Sequence, residues 1–174
     1  PNCILEGDIT LGPDNQLAAA VYMQGPLTIG SDNQFYPNTF IGYPPQHAKF
    51  DPKTPGTGTL IGSGNTFRDG FSVHRAYADK PSLIGDHNYC LDDSHIAHDC
   101  VIGNHITMAN SALIAGHATI DDHCTLGGNA SVQQHCRIGQ LAMLSGNMFV
   151  TQDVPPFCMT YSNKSIGSLN LVGL

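Results

Sequence analysis

The chain has 174 residues, the size of one domain with a real core, and only 12% of them are charged. A formal net charge of −7, with seven basic residues scattered along the chain, argues against nucleic-acid binding, which needs clustered Lys and Arg. Trp is absent, Gly numbers 19 and 41% of residues are hydrophobic, which is the profile of a turn-rich all-β protein. No apolar run approaches the roughly 18 residues of a membrane span and no signal peptide is legible, so a soluble cytoplasmic protein is expected.

The first apolar series steps in sixes from Leu5 through Leu11, Leu17, Met23, Ile29 and Phe35 to Ile41. Residues 43–59 (YPPQHAKFDPKTPGTGT) break the count and read as an outward loop rich in Pro and polar residues. The series resumes at Ile61, Phe67 and Val73, and a second loop follows over 76–82 (AYADKPS). From Ile84 the step then runs unbroken through Cys90, Ile96, Ile102, Met108, Ile114, Ile120, Leu126, Val132, Ile138 and Leu144 to Val150. Two residues before most of these positions lies a small one, such as Ser94, Cys100, Ala112, Ala118, Cys124, Ala130, Cys136 or Ala142. Helical spacings of three and four are missing. A hexad with one large and one small inward residue predicts a parallel β-helix over 1–150, with coils of about 18 residues stacked roughly 4.8 Å apart. The pattern ends near Thr151, and 151–174 is expected to be an irregular tail.

The lattice also explains the cysteines. Cys3, Cys100, Cys124 and Cys136 take the small inward position and Cys90 the large one, leaving Cys158 outside. They read as small buried hydrophobes in a reducing compartment, not as disulfides or metal ligands.

Residues one coil apart are stacked, so the sequence predicts spatial neighbours. His87, His105 and His123 form one outward column, open to two readings: surface polar residues on turns, or a ladder able to hold a transition metal between imidazoles. A second column is Asp99, His117 and His135, and beside it lies His98, Gly116 and Gln134. This patch suits general-base catalysis, because a neutral imidazole takes a proton from a hydroxyl and a carboxylate orients it. The Gly116 N–H, with no side chain in the way, is placed to meet a developing oxyanion. The lattice puts no Ser or Cys nucleophile next to His98, which favours direct transfer of an acyl group from a thioester to a hydroxyl.

The runs HIAHDCVIGN (95–104), ANSALIAGH (109–117) and QDVPPF (152–157) resemble the bacterial UDP-N-acetylglucosamine 3-O-acyltransferases that begin lipid A synthesis. PPQHAKF (44–50), VHRAY (73–77) and SNKSIGSLNLVGL (162–174) extend the likeness over nearly the whole chain. The resemblance implies the left-handed form of the β-helix, an exception to the usual right-handed crossover. It also implies a homotrimer with sites between subunits and no resident cofactor. The acceptor would be a nucleotide-sugar and the donor an acyl thioester of acyl carrier protein or coenzyme A. By the same likeness the chain begins partway into the family's first coils and stops before its C-terminal helical domain, which is expected to be absent.

Residue by residue, His98 would match the family's general base, Asp99 its partner and Gly116 the oxyanion donor. His95 and His117 would line the site, and His74 opens the segment matching the family's HRG. His47 and Lys49, on the first loop, would reach the nucleotide-sugar. Gln134 and Asn170 would lie near donor and sugar, and Gly146 would set the acyl-chain length. Two other readings stay open. One is a non-catalytic trimeric binding or scaffold protein. The other is a metal enzyme like the γ-carbonic anhydrases, although Asp122 stands where that family's second histidine would follow His117.

Overall fold

The computed structural model describes residues 1–162 and 165–173 as three sheets of 8, 7 and 9 strands, parallel except for one terminal strand, wound around one core. Each coil contributes one strand of two to four residues to each sheet. His95–Ile96, Val101–Ile102 and Thr107–Met108 make one coil; Leu113–Ile114, Thr119–Ile120 and Thr125–Leu126 make the next. Their register pairs His95 with Leu113, Val101 with Thr119 and Thr107 with Thr125, so the hexad positions stack as the spacing predicts. Among the described residues, no helix is long and apolar enough to cross a membrane.

The large inward residues form three internal columns. In the first sheet Met23, Ile41, Val73, Ile96 and Ile114 are fully buried on one another. Each such side chain contributes about 2 kcal/mol of burial. The small positions hold the turns together. Asn15, Asn33 and Asn65 bond side chain to side chain at 2.9 Å, and Asn65 Oδ1 accepts the Asn88 N–H at 2.8 Å. Cys90, Cys100, Cys124 and Cys136 are buried free thiols, and burial pushes Cys90 and Cys100 up to about 12.

Every coil turns through a left-handed residue three places after the large apolar one, including Asp99 (φ 60°), His117 (φ 61°) and His135 (φ 64°). Asp, Asn and His tolerate this conformation better than most side chains, so the turn itself favours them there.

The two excursions leave after Phe40–Tyr43 and Ser72–His74 and return at Thr59–Ile61 and Ser82–Ile84. They clamp each other. Arg75, 3% exposed, donates to Gln24 Oε1 (2.7 Å), Gly42 O (3.0 Å) and Thr54 O (3.1 Å). Thr57 Oγ1 donates to Ala78 O or Lys80 O, each at 2.9 Å. Gly56 (φ 67°) passes so close that a Cβ there would lie 2.3 Å from Ala76 O.

One expectation is corrected. The segment after Thr151 is not irregular throughout: Val154 bridges Ile138, and Cys158–Ser162 pairs in parallel with Met143–Leu144. Ser165–Leu169 then returns antiparallel to Cys158–Ser162. This ribbon prolongs the third sheet without continuing the hexad, so a search for period six passes over it.

Candidate active site

The loop clamp bears directly on the patch around His98. His98 Nδ1 lies 2.8 Å from Asp99 Oδ2, and the two side chains are only 12% and 4% exposed. Asp99 is held from the far side as well. Its Oδ1 accepts the N–H groups of Tyr77 (3.2 Å) and Ala78 (2.9 Å), and its own N–H donates to Ser82 Oγ (2.9 Å). A carboxylate held this way is an acceptor only, so it draws the His98 proton to Nδ1 and leaves Nε2 as the basic nitrogen.

Nε2 faces Gly116. A Cβ on Gly116 would come within 2.6 Å of His98 Cε1 and 2.9 Å of Nε2. The Gly116 N–H has no acceptor among the described residues, while the neighbouring His117 N–H is used by His98 O at 3.0 Å. His98, Gly116 and Gln134 open onto a cleft of about 610 Å³, also lined by Gln46, His95, Leu113, Ser131 and Phe149. A basic nitrogen, a free N–H and an apolar channel meet there.

The other rings pack around the pair. His117 stands edge-on to His98 at 5.2 Å, puts Nε2 3.9 Å from Asp99 Oδ2, and stacks on His135 at 4.7 Å. His47 approaches His98 edge-on at 6.1 Å. His95 bonds Ser72 Oγ at 2.8 Å, with His74 edge-on behind it at 4.8 Å. Burial shifts the histidines His74, His95 and His117 toward the neutral form. One ring nitrogen each of His98 and His117 and a carboxylate oxygen of Asp99 lie within 4.8 Å of one another. A cation bound there through His98 Nδ1 would replace the His98–Asp99 hydrogen bond.

His74 carries a pH prediction. Burial, assisted by His95, His98 and Arg75, pushes its pKa down from 6.5 to about 4. The unfolded chain therefore binds the extra proton first, so His74 stability is intact above pH 6.5 and lost as the pH falls toward 4. Unfolding free energies from urea titrations of wild type and His74→Leu are expected to diverge over that window, wild type losing roughly 3 kcal/mol more by pH 4. Parallel losses in the two proteins would count against it.

No family model matches the chain. It is 41% identical, over its whole length, to 68% of the acyl-[acyl-carrier-protein]–UDP-N-acetylglucosamine O-acyltransferase of Thermodesulfovibrio yellowstonii. The chain belongs to this O-acyltransferase family. The enzyme of the same name from Syntrophobacter fumaroxidans is 38% identical, with 99% of this chain covering 61% of that relative. The chain thus spans between about three fifths and two thirds of these two relatives. The crystal structure of the Moraxella catarrhalis UDP-N-acetylglucosamine O-acyltransferase matches 99% of it, and 68% of that structure, with a TM-score of 0.93 at 31% identity. The Francisella novicida UDP-N-acetylglucosamine acyltransferase matches 99% of it, and 64% of that chain, with a TM-score of 0.96 at 29% identity.

Within one copy of the chain, His98, Asp99, Gly116, His95, His117, His47 and Gln134 come together, with His74 buried behind His95. Three expected residues do not join them. Lys49 is exposed on the first excursion, and its side chain makes no hydrogen bond or ion pair among the described residues. Gly146 lies over Gly128 at another corner of the coil. Asn170 is 7% exposed, its Nδ2 donating to Leu141 O at 2.8 Å, so it pins the terminal ribbon.

Sequence reasoning missed Tyr77, whose ring lies 5.2 Å from His47, 5.6 Å from Phe50, 5.3 Å from His98 and 6.2 Å from His117. It roofs the dyad while its N–H holds Asp99. Leu113, Ser131 and Phe149 were missed too, although they continue the His95 column by the same coil repeat.

Proposed function

We propose that this chain catalyses acyl transfer from the thioester of acyl carrier protein, or of coenzyme A, to the 3-hydroxyl of UDP-N-acetylglucosamine or a close nucleotide-sugar. This is the O-acylation that begins lipid A synthesis in the family it resembles. The observation that carries the reading is His98, fixed through Nδ1 by an anchored Asp99 and presenting Nε2 beside the free Gly116 N–H.

The reaction would run without a covalent enzyme intermediate. His98 Nε2 takes the proton of the sugar hydroxyl as its oxygen bonds to the thioester carbonyl carbon. The carbonyl oxygen becomes an oxyanion and accepts the Gly116 N–H. The carbon–sulfur bond then breaks, and the leaving sulfur takes the proton back from the imidazolium, whose charge Asp99 has stabilised. No resident cofactor is needed, since the donor is a co-substrate. Leu113 and Phe149, 44% and 49% exposed on the cleft side, offer apolar surface to the acyl chain.

The same reading makes the working unit a cytoplasmic homotrimer. Tyr22 and Phe40 stack at 5.1 Å on the outer face of the first sheet, in line with exposed Ile4, Leu113 and Phe149, and another copy would cover this column. Lys49, Gly146 and Asn170 would approach a neighbour's His98 only across such an interface.

The test is incubation of the protein with a 3-hydroxyacyl-carrier protein and UDP-N-acetylglucosamine, with products read by mass spectrometry. An O-acylated nucleotide-sugar supports the proposal. Neither turnover nor binding of any UDP-sugar would instead favour a scaffold. A zinc content that disappears in His117→Gln would favour the metal-enzyme reading through the His98, Asp99 and His117 donors.

A further inference from the structure

A second histidine array lies outside the cleft and takes no part in the chemistry above. His87, His105 and His123 stand on successive coils, three residues after Ile84, Ile102 and Ile120, whose strands pair in order in the second sheet. All three are exposed. Their rings stack face to face, with centroids 5.1 Å and 4.8 Å apart and interplanar angles of 16° and 3°. The backbone beneath is fixed, the N–H groups of His87, His105 and His123 donating to Ser63 O, Asp86 O and Asn104 O, each at 2.9 Å. The adjacent row is locked as well: Asn104 Oδ1 accepts the Asp86 N–H and Asp122 Oδ1 the Asn104 N–H, both at 2.8 Å.

We infer that this ladder is a surface site for a late first-row divalent transition ion, held between adjacent imidazoles and preferring copper to zinc. Three observations carry it. First, no ring nitrogen of the three has a hydrogen-bond partner among the described residues, so their lone pairs are available. Second, an ion with metal–nitrogen bonds of about 2.1 Å needs its two nitrogens no more than about 4.2 Å apart. The ring centroids lie 4.8 Å apart with parallel planes, so the in-plane lone pairs run side by side, and one or both exposed rings must turn out of the stack about χ2 to bring two nitrogens onto the ion. Third, Asp86 and Asp122 flank His87 and His123 in the sequence, on a chain of net charge −7, so the local field draws cations.

The left-handed turn accounts for each histidine singly but not for the column. The equivalent turns at another corner carry Asp93, Ser111, Asn129 and Asn147, which meet the same backbone demand without imidazole. His105 belongs to both neighbouring pairs and is the residue the site depends on.

The test is calorimetric titration of the untagged protein with Cu²⁺ in a non-chelating buffer, with electron paramagnetic resonance to count nitrogen ligands. Wild type is expected to bind copper through at least two nitrogens. His105→Asn, which keeps a residue tolerant of left-handed backbone, is expected to weaken binding at least tenfold. His87→Asn leaves the His105–His123 pair and is expected to stay within about threefold of wild type, consistent with one intact pair being enough to hold the ion. Wild-type affinity in His105→Asn, no binding by wild type, or a loss seen only in His117→Asn would each overturn the inference.

Discussion

His98→Ala is expected to lower acyl transfer by about 10²- to 10⁴-fold while leaving nucleotide-sugar binding close to wild type, the range general-base removal commonly costs. The ring faces the cleft and packs no core column, so folding is not at stake; the Asp99 Oδ1 bonds to Tyr77 and Ala78 remain. Asp99→Asn sharpens the test. An Asn side chain can keep those two N–H partners through its oxygen, which turns its amide NH₂ toward His98 Nδ1. Nδ1 must then accept, the proton moves to Nε2, and the base faces the substrate in the wrong tautomer. A similar fall in kcat with little change in KM is expected. Unchanged kcat in either variant would remove His98 from the proposed step.

Gly116→Ala has the second largest expected effect, and its cause is steric. The Gly116 backbone lies outside the left-handed region, so alanine meets no conformational penalty of its own. The new Cβ instead strikes the His98 ring at Cε1, where Asp99 prevents the ring from simply swinging away. A displacement of about an ångström at the base is expected to cost on the order of 10²-fold in kcat, with a melting temperature within a few degrees of wild type. Gly128→Ala is the matched control, since its nearest neighbour, Asn110 O, is 3.6 Å from the added Cβ. Equal activity in the two variants would contradict the placement of Nε2 against Gly116.

Much of this was legible before any coordinates, for a definite reason. A β-helix converts a sequence repeat directly into spatial adjacency, so Ile84 to Val150 in steps of six gave both the inward columns and the His98–Gly116–Gln134 neighbourhood. Where the chain leaves the lattice, that rule says nothing. Tyr77 reaches His98 from the second excursion, and Arg75 joins the excursions through backbone carbonyls, neither of which a period of six can place. The terminal ribbon failed for a related reason: Cys158–Ser162 is held by sheet pairing without a hexad. Lys49, Gly146 and Asn170 rested on resemblance alone, and resemblance does not say which copy of the chain a residue serves.

The central claim is that His98 deprotonates a sugar hydroxyl beside the Gly116 N–H. A crystal structure of the protein soaked with UDP-N-acetylglucosamine tests it most directly. The account predicts the sugar in the cleft with its 3-hydroxyl oxygen about 2.6–3.2 Å from His98 Nε2. A nucleotide-sugar seated elsewhere, or seated in the cleft with no hydroxyl in reach of that nitrogen, would contradict it.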